Sequence, residues 1–466
     1  KSPEENLLAF EVDDTSADQT LIVTYKKEGN KVNIAKELFS PWIVAVSGII
    51  TGSPVVFDVK PLSGSGQLNE LIFFRKWSDC KKCVDWLVKK TGYTASDPSA
   101  PFYFVSDPVQ QFLMVSGKTS FKGMHFEDLN RLQLDIECEV MEGYEFCNAE
   151  RESDRIIAIG MSDSSGWVEI LSVVDMDEKT MLERFVSLVA ERNPDVIEGH
   201  NIFNFDLPYL KTRAQMHGVA LRLGRDGSIP ATRSSRFNIG DRTISYERFD
   251  IAGRNIIDTL FLVHAYDISY RSLPGFGLKE VALHFGIASE NRTYIEGPEI
   301  GKVFRRDPRL VLKYVHNDLE ETAKLSSLLS RSNFLQAQML PFSYQNVCVR
   351  GNATKIDAMI VREYLRQGRA ISMPAKAKKY EGGYTDMFIR GVVKNVHHCD
   401  IRSLYPSLML VKKIKPSQDE AGIFLLMLKE LRDIRLDAKK KAVSAQNIHE
   451  KFHYEAMQAA FKILIN

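Results

Sequence analysis

Asp135 and Glu137 lie two residues apart in Leu132-Gln-Leu-Asp-Ile-Glu137, which reads as a short strand, so both carboxylates leave one face of a sheet. Like charges held that close repel unless a cation sits between them. Such a pair is common on surface strands and means little alone. Two further acidic residues give it weight. Asp206 opens a helix after Gly199-His-Asn-Ile-Phe-Asn-Phe205, and Asp318 follows Tyr314 by one helical turn, so phenol and carboxylate share a face. Four carboxylates and a tyrosine suit phosphodiester hydrolysis by two divalent cations about 3.5–4 Å apart. One cation would acidify the attacking water, the other would stabilise the departing 3′ oxygen, and Tyr314 would orient the water.

The elements needed to position these groups are those of an α/β domain. Leu132–Glu137 is a strand, and Ile156–Gly160 and Trp167–Leu171 flank Asp-Ser-Ser-Gly, a hairpin signal. Thr180–Glu191 has helical spacing, with Leu182, Phe185, Val186 and Val189 on one face. Asp195–Glu198 is another strand and Asp206–Met216 another helix. Three strands, a helix, a strand and a helix is the order of an RNase H-like nuclease core. Before it, residues 1–105 mix short alternating segments (Leu21–Tyr25, Trp42–Val46, Glu70–Phe74) with one helical stretch, Ser78–Lys90. After it come a helix (Asp357–Gln367), a strand into Asp400, a sharp turn at Pro406, and two helices, about 423–442 and 449–465.

Composition is that of an ordinary globular protein, and 466 residues allow two to four domains. No run of about 18 apolar residues is present, which argues against a membrane span. The chain starts Lys1-Ser-Pro-Glu-Glu5, with no Met and no apolar signal region, so a trimmed end of an intracellular protein is expected. Six scattered cysteines fit a reducing compartment. Cys80 and Cys83 make one Cys-x-x-Cys with no second pair nearby, which reads as two helix positions beside Trp77 and Trp86, not as zinc ligands. Net charge is +1 and decides nothing about nucleic acid. Basic residues do gather late, at Arg362, Arg366, Arg369, Lys376, Lys378 and Lys379, and again from Lys429 to Lys441.

These segments, in this order, resemble the family B DNA polymerases with a 3′→5′ proofreading exonuclease. Leu134–Glu137, Asn201–Asp206 and Tyr314–Asp318 are similar to the three exonuclease motifs. The resemblance implies metal ligation by Asp135, Glu137, Asp206 and Asp318, and places Asn201 and Phe205 beside the bound single strand. Asp400-Ile-Arg-Ser-Leu-Tyr-Pro-Ser407 resembles the family's motif A. There Asp400 would ligate catalytic magnesium, and backbone groups from Ile401 to Tyr405, Ser403 and Leu404 among them, would line the triphosphate site. Tyr405 would pack beneath the sugar and exclude a 2′-hydroxyl. Arg435 and Lys439 share a helix face, and Lys462 lies on the next helix, so three cations could neutralise an incoming deoxynucleoside triphosphate. Arg435 is preferred to Arg432 because Arg-x-x-x-Lys spacing then holds. Asn466 would begin the segment beside the nascent base pair. Tyr380-Glu-Gly-Gly-Tyr384 resembles the Tyr-x-Gly-Gly linker, with Tyr380, Gly382 and Gly383 against DNA.

The implied fold is mixed α/β (α+β multidomain), an RNase H-like exonuclease domain followed by partial palm and helical fingers. Its expected divisions are a β-rich domain (1–105), the exonuclease (106–340), the start of the palm (341–416) and the fingers (417–466). Magnesium is the implied cofactor, with manganese as a substitute. Primer–template DNA and single-stranded 3′ ends are the implied partners, in an intracellular, nucleoid setting without membrane. No Asp-Thr-Asp motif or thumb follows Asn466. A truncated polymerase is therefore the favoured reading, with a split polymerase completed by a second chain or a nuclease alone as alternatives. A sliding clamp is a further candidate partner. A reading of another class is a non-catalytic DNA-binding or assembly subunit.

Overall fold

The computed structural model describes residues 4–240, 242–289, 291–374, 384, 386–397, 399, 403–446 and 448–465. Contacts group the chain into two compact units. One comprises Lys1–Ser16, Thr20–Phe39 and Asp107–Ala358, the other Ala17–Gln19, Ser40–Ser106 and Met359–Asn466. This grouping does not follow the linear boundaries at 105 and 340. The meander of Leu7–Asp13, Leu21–Glu28 and Lys31–Leu38 is tied into the first unit. Phe121 N donates to Leu7 O at 2.7 Å, Asn255 Nδ2 donates to Leu8 O at 3.1 Å, and the Phe10 and Phe39 rings pack on Phe112. Trp42–Ala45 pairs instead with Glu70–Phe73 and Phe102–Tyr103 in the second unit.

The first unit is built on β1 (Arg131–Cys138), β2 (Ile156–Asp163), β3 (Val168–Ser172), β4 (Val196–Gly199) and β5 (Asn255–Asp258), in sheet order β3-β2-β1-β4-β5. β1, β2 and β3 are antiparallel neighbours, and β4 and β5 run parallel to β1. Its helices include α1 (Glu178–Arg192), α2 (Asp206–Met216), α3 (Thr259–Tyr270), α4 (Leu278–His284) and α5 (Pro308–Leu329). The β2–β3 hairpin closes on Gly166, whose φ of 88° is left-handed and whose N–H returns to Asp163 O. Asp177 caps α1 through Thr180 N (2.7 Å), and Asp258 caps α3 through Leu260 N (2.9 Å). The buried face of α1 (Met181, Leu182, Phe185, Leu188, Val189) joins Leu134, Ile136 and Ile159 in the main core.

Helix α5 lies on the sheet because of one glycine and one buried network. Gly160 pairs with Asp135 across β1 and β2, and a Cβ there would meet Val315 Cγ1 at 2.3 Å and Leu319 Cδ1 at 3.0 Å. A side chain at 160 would therefore push α5 outward. Glu198 on β4 accepts hydrogen bonds from Arg131 Nη1 (3.1 Å), Gln133 Nε2 (2.7 Å) and Ser326 Oγ (2.7 Å). Arg131 Nη2 also donates to Ser327 Oγ at 2.9 Å, so β1, β4 and α5 share a paired charge.

The second unit has a sheet ordered Asp58–Pro61, Glu70–Phe73, Trp42–Ala45, Phe102–Tyr103. Helix Trp77–Thr91 packs Cys80 and Cys83 against Ile43, Ile72 and Phe74, so the Cys-x-x-Cys serves packing and burial pushes both thiols up. Two local expectations are corrected. The described residues 386–397 form no strand leading to Asp400, since a strand needs a hydrogen-bonded neighbour and none of the described residues supplies one. The sharp turn is at Ser403 (φ 52°), and Pro406 lies in the first turn of helix Leu404–Lys412, where an N–H has no helical acceptor to lose.

Gly160→Ala is expected to lower unfolding free energy in urea by about 1–3 kcal/mol, the usual cost of overpacking a core. It should also slow any chemistry that depends on Tyr314 and Asp318. An unchanged urea midpoint would mean that α5 does not rest on this glycine.

Candidate metal centre

Three of the carboxylates sit together. Oxygens of Asp135, Glu137 and Asp318 all lie within 4.8 Å of one another. β1 sends Asp135 and Glu137 to the same face, and α5 brings Asp318 down over it. Asp206 joins differently: its Oδ1 accepts the N–H of Ile136 at 3.1 Å, the peptide between the two β1 carboxylates. That bond fixes the start of α2 against β1. Asp135 is half-buried and the other three are buried.

Burial, then mutual repulsion, sets the electrostatics. Asp135 is pushed well above the usual carboxylate range by burial and by Asp318, Glu137 and Asp206. Burial, Asp318 and Asp206 do the same to Glu137. Burial raises Asp206 to about 8, and raises Asp318 as well. Tyr314 is buried one turn from Asp318, and burial with the neighbouring carboxylates keeps the phenol protonated. Oδ2 of Asp135 is buried with no hydrogen-bond partner among the described residues. A carboxylate oxygen only accepts, its neighbours here are acceptors too, and a cation is what such an orphan fits.

Residues absent from any motif complete the cluster. Arg292 donates through both Nη1 and Nη2 to Asp318 Oδ1 at 2.9 Å and lies 3.1 Å from Glu321 Oε2. Lys279 of α4 sits 4.8 Å from the centroid of the Tyr314 ring and donates to Ile295 O at 2.7 Å. Asp258 accepts the N–H groups of Asn201 (2.9 Å) and Phe203 (3.3 Å), which holds Asn201 in its left-handed conformation (φ 67°). Phe205 is half-buried and leans on Tyr209 at 5.6 Å between ring centroids. The one signal that could have exposed Asp258 is its place as an N-cap after a short apolar strand. Arg292 stands in a loop with no periodicity to mark it.

In the second unit Arg435 donates to Ser403 Oγ at 2.7 Å and contacts Gln458 Oε1 at 3.3 Å, whereas Arg432 pairs with Asp433. Lys439, Lys462, Leu404 and Tyr405 are exposed. Asp400, Tyr380, Gly382, Gly383 and Asn466, proposed from the sequence, lie outside the described residues.

Comparisons with known proteins accord with this arrangement. Residues 114–281 match the family described as DNA polymerase family B, exonuclease domain. A DNA polymerase of Pyrococcus glycovorans is 28% identical over 395 residues, covering 73% of this chain and 46% of that protein. One from Thermococcus litoralis is 29% identical over 379 residues, 73% of this chain and 21% of its own. The chain thus spans less than half the length of these relatives. The structure of the family B DNA polymerase from Pyrobaculum calidifontis superposes with a TM-score of 0.72 at 17% identity, covering 98% of this chain and 67% of that one, a likeness of fold.

Two outcomes follow from the electrostatics. A carboxyl raised to about 8, as Asp206 is, stabilises the fold fully below its ordinary pKa of 3.8, and that stability is lost as pH rises through about 8. With EDTA present, the thermal midpoint should therefore fall as pH is raised from about 6 to about 9, and magnesium should restore most at the upper end. A midpoint that climbs over this window would remove the clustered-carboxylate account. Arg292→Ala leaves Asp318 and Glu321 buried without their guanidinium and should cost about 3–5 kcal/mol in urea unfolding. A loss under about 1 kcal/mol would show that Arg292 does not hold them.

Proposed function

The chain is related to the family B DNA polymerases and carries their exonuclease domain, and from that premise we propose that it removes nucleotides from single-stranded DNA 3′ ends by metal-dependent hydrolysis. The observation that carries the proposal is the convergence of Asp135, Glu137 and Asp318 within 4.8 Å, beside an orphaned Asp135 oxygen. An all-oxygen donor set of this charge suits magnesium or manganese. Asp135, Glu137, Asp318 and Asp206 are the residues that would hold the ions. Bound there, such ions supply Lewis acidity to the phosphate and an acidified water, in the two-metal manner.

The protein's own groups do the rest. Tyr314 remains a neutral donor and would orient water through its hydroxyl. Lys279, near that ring, adds positive charge on the side where a phosphate would approach. Asn201 and Phe205 flank the opening of α2 and would meet the terminal nucleotides, one by its amide and one by stacking. Splayed single strands fit such contacts better than paired ones.

Template-directed addition of deoxynucleoside triphosphates to a primer is proposed as the accompanying activity of this protein. Asp400 would hold magnesium there, with Ser403, Leu404 and Tyr405 lining the triphosphate and sugar, and Arg435, Lys439, Lys462 and Asn466 completing the pocket. The bond from Arg435 to Ser403 favours Arg435 over Arg432 for the triphosphate. Tyr380, Gly382 and Gly383 are proposed DNA contacts. No described helix is long and apolar enough to cross a membrane.

A 3′-labelled single strand incubated with magnesium should shorten stepwise. The double variant Asp135→Ala, Glu137→Ala should lower that rate by about 10³-fold or more, because metal charge stabilisation is worth several kcal/mol. Full digestion by the double variant would sink the site assignment. Tight DNA binding by the unmodified protein with no cleavage in magnesium or manganese would favour a scaffold instead.

A further inference from the structure

We propose that Glu321 is a positioning residue of the metal centre: it takes the Arg292 guanidinium over from Asp318 when a divalent cation binds, and so frees Asp318 for the ion. This rests on the exonuclease reading above and adds a residue that none of the motifs contains. Glu321 follows Asp318 by three residues on α5, one turn along the same face, and is fully buried. Arg292 touches both acids. Its Nη1 and Nη2 both donate to Asp318 Oδ1 at 2.9 Å, and Nη2 lies 3.1 Å from Glu321 Oε2 without hydrogen-bond geometry.

Three buried atoms here have no hydrogen-bond partner among the described residues: Arg292 Nε, Glu321 Oε1 and Glu321 Oε2. One is a donor and two are acceptors, on side chains already 3.1 Å apart. Buried polar groups are paired as a rule, so complementary orphans side by side point to a second arrangement within reach. Arg292 meets Asp318 through two donors on one oxygen. A guanidinium and a carboxylate pair best as a fork, with two parallel N–H···O bonds to two oxygens. Glu321 offers that fork. A turn of the guanidinium would set Nε and Nη2 on its two oxygens and satisfy all three orphans.

Local anchoring favours a turning side chain over a moving loop. Thr293 N donates to Asn317 Oδ1 at 3.1 Å and Arg292 N donates to Ser289 O at 3.2 Å, so the backbone around Arg292 is tied down. The guanidinium lies over the rings of Tyr294 and Tyr314, 5.2 and 5.8 Å from their centroids. Attraction to a ring face does not depend on which N–H points where, so it survives the turn. Without an ion, Arg292 offsets the charge of Asp318. With one, two positive charges on a single carboxylate repel, and Glu321 is the buried acid placed to receive the guanidinium. Glutamine at 321 would offer one neutral acceptor, and Arg292 would stay on Asp318 as a competitor.

The test reads metal binding and the arginine itself, on the full chain. Manganese titration calorimetry isolates the site as the component lost in Asp135→Ala, Glu137→Ala. Glu321→Gln should weaken that component about tenfold, the usual effect of removing an outer partner of a ligand. In an Arg292→Gln background the same change should weaken it less than about twofold, since nothing is left to hand over. Equal weakening in both backgrounds would mean a plain charge effect and overturns the proposal. A second readout needs only Glu321→Gln, which should keep both bonds from Arg292 to Asp318. The Arg292 Nε–H resonance, assigned by its loss in Arg292→Lys, should move when magnesium is added to the unmodified protein and stay in place in Glu321→Gln. An unmoved resonance in the unmodified protein, or an equal shift in the variant, overturns the hand-over. Hand-over in a protein that leaves single-stranded 3′ ends intact in magnesium overturns the exonuclease reading alone, and digestion without hand-over overturns only the role of Glu321.

Discussion

Burial raises the pKa of Asp135, Glu137, Asp206 and Asp318, and neighbouring carboxylates raise the first three further, so folding has to gather groups that water would hold apart. No single local interaction offsets that repulsion. The carboxylates come from β1, α2 and α5, and each element must be anchored by something other than the cluster itself. Anchoring by ordinary packing alone would leave the acidic corner free to spread. What prevents spreading is a set of polar ties placed just behind it.

Glu198 is the most consequential of these. It is fully buried, and it takes donors from β1 and α5 while lying on β4. Removing a buried partner of this kind costs about 3–5 kcal/mol, because a charge is left without its mate. The same logic recurs at Asp258, which gathers the Asn201 and Phe203 amides, and at Asp206, which accepts the Ile136 amide. Gly160 contributes by absence: β2 carries no side chain where α5 must come close. Negative groups thus recur in two layers, an outer one satisfied by donors and an inner one short of them.

The inner layer was legible in the sequence because its residues sit on periodic elements. Alternation on β1 and the turn from Tyr314 to Asp318 give the facing of side chains directly, and α2 spans Asp206–Met216 as its pattern suggests. Arg292 was not legible, since a loop residue acquires its partner only when the tertiary fold delivers it. Sheet order was likewise hidden, because nothing local says that β4 adds beside β1 and not beside β3. The split of residues 1–105 between two units has the same origin: contact at long range, such as the Asn255 side-chain amide on Leu8 O, overrides sequence proximity. At Pro406 local chemistry was read one step wrongly, for a proline in a helix's first turn looks from sequence like a turn residue.

Arg292 also gives the cluster a direction. Both of its bonds fall on Oδ1 of Asp318, and that oxygen is therefore shared with a fixed positive charge. Arg292 reaches Asp135 only through its field, and Asp135 Oδ2 has no hydrogen-bond donor among the described residues. An ion entering the corner meets a bonded competitor at Asp318 and an unbonded oxygen at Asp135. The pull on the ion is then stronger toward β1, a strand paired on both edges, while the α5 side is the partly neutralised one.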